Sequence, residues 1–87
     1  MISISIIIPA YNEEKTILKV LSELNLIRNI ANFELIVIND GSTDNTKRII
    51  DNNSTLYDKT KHLIKNQGKG KAIIEGLKIS TKKFVFF

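Results

Sequence analysis

Two uninterrupted apolar runs, Ile6-Ile7-Ile8 and Leu35-Ile36-Val37-Ile38, most constrain what this 87-residue chain can fold into. A strand wetted on one face alternates apolar and polar residues, whereas one that is apolar at every position is covered on both faces. Both runs are therefore expected in a parallel sheet with helices above and below. The first strand is predicted over Ser3–Pro9, with Pro9 as its end because proline has no N–H to give a ladder. Glu34–Asn39 and Phe84–Phe87 are predicted as further strands, and His62–Lys65 as a weaker one.

Helical patterns fill the gaps between these strands. Ile17, Leu21 and Leu24 recur at spacings of four and three, and Val20 widens the stripe. Asn12 stands where an N-cap would, with Glu13 and Glu14 in a first turn that favours acids. A second helix is expected to open at Ser42 or Thr43 and to run through Ile49-Ile50 until Asn52-Asn53-Ser54 ends it. A third should begin between Lys69 and Lys71 and reach about Ser80, with Ile73 and Leu77 as its apolar stripe. Ala72, Gly76 and Ser80 give that helix a small-residue edge suited to close packing. The order β-α-β-α-β-α-β with short connections implies right-handed crossovers. The predicted fold is α/β, a three-layer α/β/α arrangement with a mainly parallel sheet, in one domain over residues 1–87.

Bulk properties exclude several classes. A chain without cysteine has neither a disulfide framework nor a thiolate metal site. The first apolar run is too short to span a bilayer and lacks the flanks of a signal peptide. The net charge of +4 is unevenly placed: three basic and six acidic residues up to Thr46, ten basic and three acidic from Lys47 onward. An anion would thus meet the second half, although most of these lysines read as a solvated face. Aromatic residues do not interleave with them as a stacking platform requires, so nucleic acid is not an expected partner. The final Phe84-Val85-Phe86-Phe87 reads as a strand with nothing to cover it. That points to a truncated domain whose terminal strand is open to self-association.

In open parallel sheets ligands bind beyond the carboxyl ends of the strands, and three loops there are unusual. In the first, Pro9-Ala10-Tyr11-Asn12-Glu13, the turn and cap explain Pro9 and Asn12. Tyr11 has a ring to pack on a planar group, and Glu13 has acceptor oxygens for a ribose or base donor. In the second, Asn39-Asp40-Gly41-Ser42-Thr43, Gly41 permits positive φ, and Asp40 either accepts from a base N–H or bonds its own neighbouring amides. In the third, Asn66-Gln67-Gly68-Lys69-Gly70-Lys71, glycines around a lysine at a helix start form a candidate phosphate cradle of backbone N–H groups. Lys65 and Ala72 break the P-loop pattern there, and Ile73 breaks the dinucleotide fingerprint. His62, the one histidine, reads as structural or exposed, not as a ligand.

Together the stretches "SIIIPAYNEE", "FELIVINDGSTDNT", "NQGKGKAIIEGL" and "FVFF" resemble the amino-terminal part of the inverting glycosyltransferase family 2 with the GT-A fold. The flavour is nearest to its polyprenyl-phosphate (dolichol- or undecaprenyl-phosphate) mannosyl- and glucosyltransferases. The resemblance implies the Rossmann-like amino-terminal half of that fold. It also implies a UDP- or GDP-linked sugar donor, and a polyprenyl phosphate or saccharide acceptor. Pro9, Tyr11, Glu13, Ile38 and Asp40 match the family's nucleotide-contacting loops, with Asp40 at the base; Asn66, Gly68, Lys69 and Gly70 match the loop near ribose and phosphates. Asn39 stands where many relatives have an acid. The family's Asp-x-Asp motif, which holds Mg²⁺ or Mn²⁺, and its catalytic carboxylate are expected beyond Phe87, so no metal ligand or catalytic residue is assigned in this chain. The implied setting is cytoplasmic, at the cytoplasmic face of a membrane in a longer parent. The alternative is a non-catalytic, receiver-like nucleotide-binding module. Glu13 and Glu14 mimic a receiver's acidic cluster weakly, and no phosphoacceptor aspartate follows the third strand.

Overall fold

The computed structural model describes residues 3–87. Its elements are β1 (Ile4–Ala10), α1 (Ile17–Ala31), β2 (Glu34–Asn39), α2 (Thr46–Asp51), a 3₁₀ turn (Ser54–Leu56), β3 (Lys59–His62), α3 (Lys69–Ile79) and β4 (Phe84–Phe86). The strands lie in the order β3-β2-β1-β4, and every pair is parallel. β2 is buried at all six positions, as its unbroken apolar run requires. Alternate residues serve the two sides. Leu35 and Val37 pack with Ala10, Phe33, Ile17, Leu21 and Ile50 under α1 and α2. Ile36 and Ile38 pack with Ile7 and Ala72 under α3. Three layers result.

Several boundaries differ from the sequence reading, each for a local reason. β1 does not stop at Pro9 but continues to Ala10, which pairs with Asn39. The Ala10 carbonyl accepts from the Asp40 N–H on the β2 side, at 2.8 Å. Backbone groups of successive strand residues face opposite sides, so Pro9 turns its missing N–H toward β4, whose pairing ends at Ile6. β3 is Lys59–His62 and not His62–Lys65. As an edge strand it carries lysines and a threonine, whose hydroxyl donates to the Val37 carbonyl at 2.9 Å; just beyond it the Leu63 N–H still donates to the Asn39 carbonyl at 2.8 Å while its side chain packs against the core, and Ile64 is fully exposed. α1 begins at Ile17, five residues after Asn12; Asn12 has φ +52° and does not cap it. α2 begins at Thr46 because Ser42 and Thr43 are occupied elsewhere, and the Asp44 carboxylate accepts the Thr46 N–H at 2.9 Å.

In α3 the packing face is the small-residue edge and not the Ile73–Leu77 stripe. Ala72 and Gly76 are buried, while Leu77 is exposed. A Cβ on Gly76 would stand 2.6 Å from Ile7 Cγ2, so the helix rests on β1 only because that atom is absent. Gly76→Val should therefore destabilise the fold by about 1–3 kcal/mol through overpacking. Urea unfolding followed by circular dichroism measures it; an unchanged midpoint would mean that Ile7 yields freely.

At the amino end of the sheet, Glu34 gathers the Ser5 hydroxyl (2.8 Å), the Thr81 N–H (3.0 Å) and the Thr81 hydroxyl (2.8 Å), with Lys59 Nζ at 3.3 Å. Burial pushes this carboxyl up, but those hydrogen bonds outweigh it and bring the group down to about 2. On α3, hydrogen bonds from Lys61 and Lys78 likewise hold Glu75 at about 2 against burial. A lowered folded-state value means stability that is present above the unfolded value of 4.5 and lost as the pH falls toward 2. Acid titration of stability should thus slope downward across that window. Glu34→Gln and Glu75→Gln should each remove part of the slope, and the double variant more than either.

Candidate functional site

Three loops leave the carboxyl edge of the sheet, and side chains lock them to one another. Between the first and second, Asn12 is the hinge: its N–H donates to Ser42 Oγ at 2.9 Å, and its Oδ1 accepts the Thr43 N–H at 2.8 Å. The Glu13 N–H donates to Thr46 Oγ1 at 2.8 Å. Glu14 and Asp44 exchange bonds reciprocally, the Glu14 N–H to Asp44 Oδ2 and the Asn45 N–H to Glu14 Oε2, each 3.2 Å. Burial raises the Asp44 carboxyl, but hydrogen bonds from Thr46 and Glu14 lower it further, so it stays ionised. An asparagine is suited to the hinge because it tolerates a left-handed backbone and offers both donor and acceptor.

Between the second and third loops the agent is Asp40, which is only 3% exposed. Its Oδ1 accepts the Gln67 N–H at 2.8 Å; its Oδ2 accepts the Gly68 N–H at 2.9 Å and Asn66 Nδ2 at 3.0 Å. Neither alternative read from the sequence covers this, because the amides belong to another loop. It also corrects the phosphate cradle: two of its N–H groups already hold an internal carboxylate. Gly41, at φ +67°, lets the two backbones touch, since a Cβ there would lie 2.2 Å from the Lys65 carbonyl carbon.

These braces surround an open cleft of about 560 Å³. Pro9, Tyr11, Glu13, Asp40, Asn66, Gly68 and Lys69 line it, which brings together seven of the nine residues singled out in the sequence. Ile38 and Gly70 do not line it. Ile38 is fully buried against α3, so only its backbone position bears on the site, and Gly70 lies one residue into the helix beyond the wall. Ile7, Ile8, Ala10 and Phe87 complete the lining unforeseen. Phe87 arrives there because β4 lies parallel beside β1, a neighbour relation that no local pattern encodes.

The wall offers several kinds of contact. Tyr11 presents a half-open ring, 44% exposed. Glu13 accepts the Thr16 hydroxyl on Oε2 at 2.9 Å, which leaves Oε1 for a ligand. Lys69 supplies a cation at the first turn of α3, whose leading N–H groups have no partner within the helix. A planar group, hydroxyls and an anionic tail would each find a matching surface. Among the described residues no three His, Cys, Asp or Glu side chains converge, and Asp40 already takes three N–H groups.

An α/β protein with a loop-built cleft at the carboxyl edge of a parallel sheet is what fold and site together define. The chain belongs to glycosyl transferase family 2, whose family model matches residues 5–87. Among curated relatives, a dolichyl-phosphate beta-glucosyltransferase of Trichomonas vaginalis is 38% identical over 84% of this chain and 25% of its own length. A poly-beta-1,6-N-acetyl-D-glucosamine synthase of Staphylococcus epidermidis is 39% identical over 94% of this chain and 20% of its own. An uncharacterized protein of Methanocaldococcus jannaschii is 44% identical over 85% of this chain and 32% of its own. The chain thus spans a third or less of the curated relatives it matches. Among solved structures, S. aureus TarS in complex with UDP aligns at a TM-score of 0.83 and 32% identity, over 97% of this chain and 26% of that one. TarS in complex with UDP-GlcNAc aligns equally well, at 0.83.

Asp40→Asn tests the central brace. An amide replaces one of the acceptor oxygens with a donor, so at least one bond to Gln67 or Gly68 is lost. Bonds to charged groups contribute about 1.5–3 kcal/mol. Amide hydrogen exchange at Gln67 and Gly68 should accordingly accelerate on the order of 10- to 100-fold, with β2 amides unaffected.

Proposed function

We propose that the cleft is the donor-nucleotide site of a hexosyltransferase that takes a sugar from a UDP- or GDP-linked donor. One observation carries this reading: the three loops that bear the family pattern are the ones locked around one cleft, on a scaffold that aligns with UDP- and UDP-GlcNAc-bound TarS. In this reading the Tyr11 ring packs on the base and Glu13 Oε1 accepts from a ribose hydroxyl. The remaining acceptor position of Asp40 faces a base N–H. Lys69 and the first turn of α3 take the diphosphate. Ile38 contributes by fixing Asp40 at the strand tip, and Gly70 by keeping the helix start open.

The acceptor we infer is a polyprenyl phosphate or a saccharide, since the relatives include a dolichyl-phosphate glucosyltransferase and a polysaccharide synthase. Transfer would be a direct displacement with inversion, in which a carboxylate base takes the proton of the acceptor hydroxyl. None of the described carboxylates is assigned that task. Family membership implies Mg²⁺ or Mn²⁺ on the diphosphate, where it would offset the charge of the leaving group. The reading places the work at the cytoplasmic face of a membrane, although no helix among the described residues is long and apolar enough to cross one. It also leaves β4 as an edge strand with Phe84 and Phe86 exposed, through which copies would associate.

Calorimetry with UDP and GDP tests the proposal. One of them should bind, and Tyr11→Ala should weaken it on the order of 10- to 100-fold, the effect of removing an aromatic from a stacked base. Failure of both nucleotides to bind at millimolar concentration would overturn the reading. Turnover of a UDP- or GDP-sugar by this chain with Mn²⁺ would show instead that the described residues suffice for chemistry.

A further inference from the structure

The site described above does not absorb the polar chain that enters it from the opposite side of the sheet. Asp51 Oδ1 lies 2.8 Å from His62 Nε2; His62 Nδ1 lies 3.0 Å from Asn39 Nδ2; Asn39 Oδ1 accepts the Ser42 N–H at 3.2 Å. Asn39 is 1% exposed, so its amide has no water to substitute for these partners. Ser42 Oγ in turn accepts the Asn12 N–H, and Asn12 stands between the two cleft residues Tyr11 and Glu13.

The chemistry of each member fixes the next. A carboxylate only accepts, so His62 Nε2 carries the proton toward Asp51. In the neutral ring Nδ1 is then an acceptor, which orients the Asn39 amide with its NH₂ to His62 and its carbonyl to Ser42. A second proton on the ring reverses this logic. The Nδ1–H would face the Asn39 NH₂, donor against donor. Turning the amide over would repair that contact only by pointing the NH₂ at the Ser42 N–H. One bond is lost either way: the Asn39–His62 bond if the amide stays, or, if it turns over, the Ser42 bond that holds the loop beside the cleft. The charged group that faces the ring is Asp51 on α2. On β3 itself Lys61 turns away to Glu75, and from β2 the uncharged Asn39 reaches the ring.

We propose that His62 is a positioning residue for the cleft, acting through Asn39 and Ser42 on Asn12, and that ligand affinity is thereby linked to the protonation of its ring. The inference takes from the preceding section only that the cleft binds a nucleotide. Linkage is reciprocal: if the neutral ring favours the ligand-ready loops, bound ligand must favour the neutral ring.

His62 is the single histidine of the chain, so ¹H–¹⁵N correlation of imidazole reads its tautomer and titration without ambiguity. Without ligand, the proton should sit on Nε2, and the Ser42 and Asn12 amide signals should move with the same midpoint as the ring. Those amides should stop responding in His62→Leu. Asparagine places its amide where Nδ1 stands, whereas glutamine reaches the Nε2 position. His62→Asn should therefore keep the wild-type Ser42 amide position and UDP affinity, while His62→Gln and His62→Leu lose affinity on the order of 5-fold or more. Saturating UDP should shift the ring's midpoint to lower pH, whereas the charge of its phosphates alone would shift it upward. A Ser42 amide indifferent to the ring's titration, or a midpoint that UDP leaves still or raises, overturns the proposal. If neither UDP nor GDP binds while the Ser42 amide follows the ring, the nucleotide reading fails and the positioning role stands; if GDP binds and UDP does not, the affinity and midpoint measurements are made with GDP.

Discussion

A carboxylate buried without a cation is tolerated only when N–H groups converge on it, and the carboxyl edge of this protein is organised around that requirement at Asp40. The Asp40 oxygens would be orphaned if the Asn66–Gly68 segment did not fold back over the tip of β2. The segment's N–H groups, just before α3, would equally lack acceptors without Asp40. Each solves the other's desolvation. The opposite end of β2 repeats the device: Glu34, its first residue, takes the N–H and hydroxyl of Thr81, just past the end of α3. One helix is thus fastened at both ends to one central strand by two carboxylates. Between these ends Ala72 and Gly76 lie against the sheet, and the missing Gly76 side chain sets how closely the helix approaches Ile7.

The layers were readable from the chain because hydrophobic periodicity is a local signal with a direct physical cause. Runs that are apolar at every position can only be strands covered twice, and β2 is buried throughout. The edge strand is the exception for the same reason: Lys59–His62 has one neighbour and polar side chains, so hydrophobic periodicity points to the stretch after it instead. Helix starts were read too early at Asn12 and Ser42. Both residues have the chemistry of caps, and both use it across the loop gap and not along their own helix. Cap chemistry is visible in a sequence, but its partner is not.

The site divides along the same line. Tyr11, Glu13 and Lys69 were found because their side chains suit a polar ligand and stand where strands end. Ile8, Ala10 and Phe87 were not, since their part in the wall comes from the sheet order and not from their chemistry. Asp40 was found for its charge, yet its three donors lie twenty-six or more positions away in the chain. Family membership reaches the scaffold and the loop pattern together.

The glycine contact between the second and third loops has a thermodynamic meaning of its own. Backbone at Gly41 rests directly on backbone at Lys65, with no side chain between them to change rotamer. Such a joint cannot breathe by rearranging a side chain; it moves only if whole loops separate. The conformational entropy of arranging the cleft is then lost when the chain folds, before any ligand arrives. Association would order little that is not already ordered, so more of the contact energy appears as affinity.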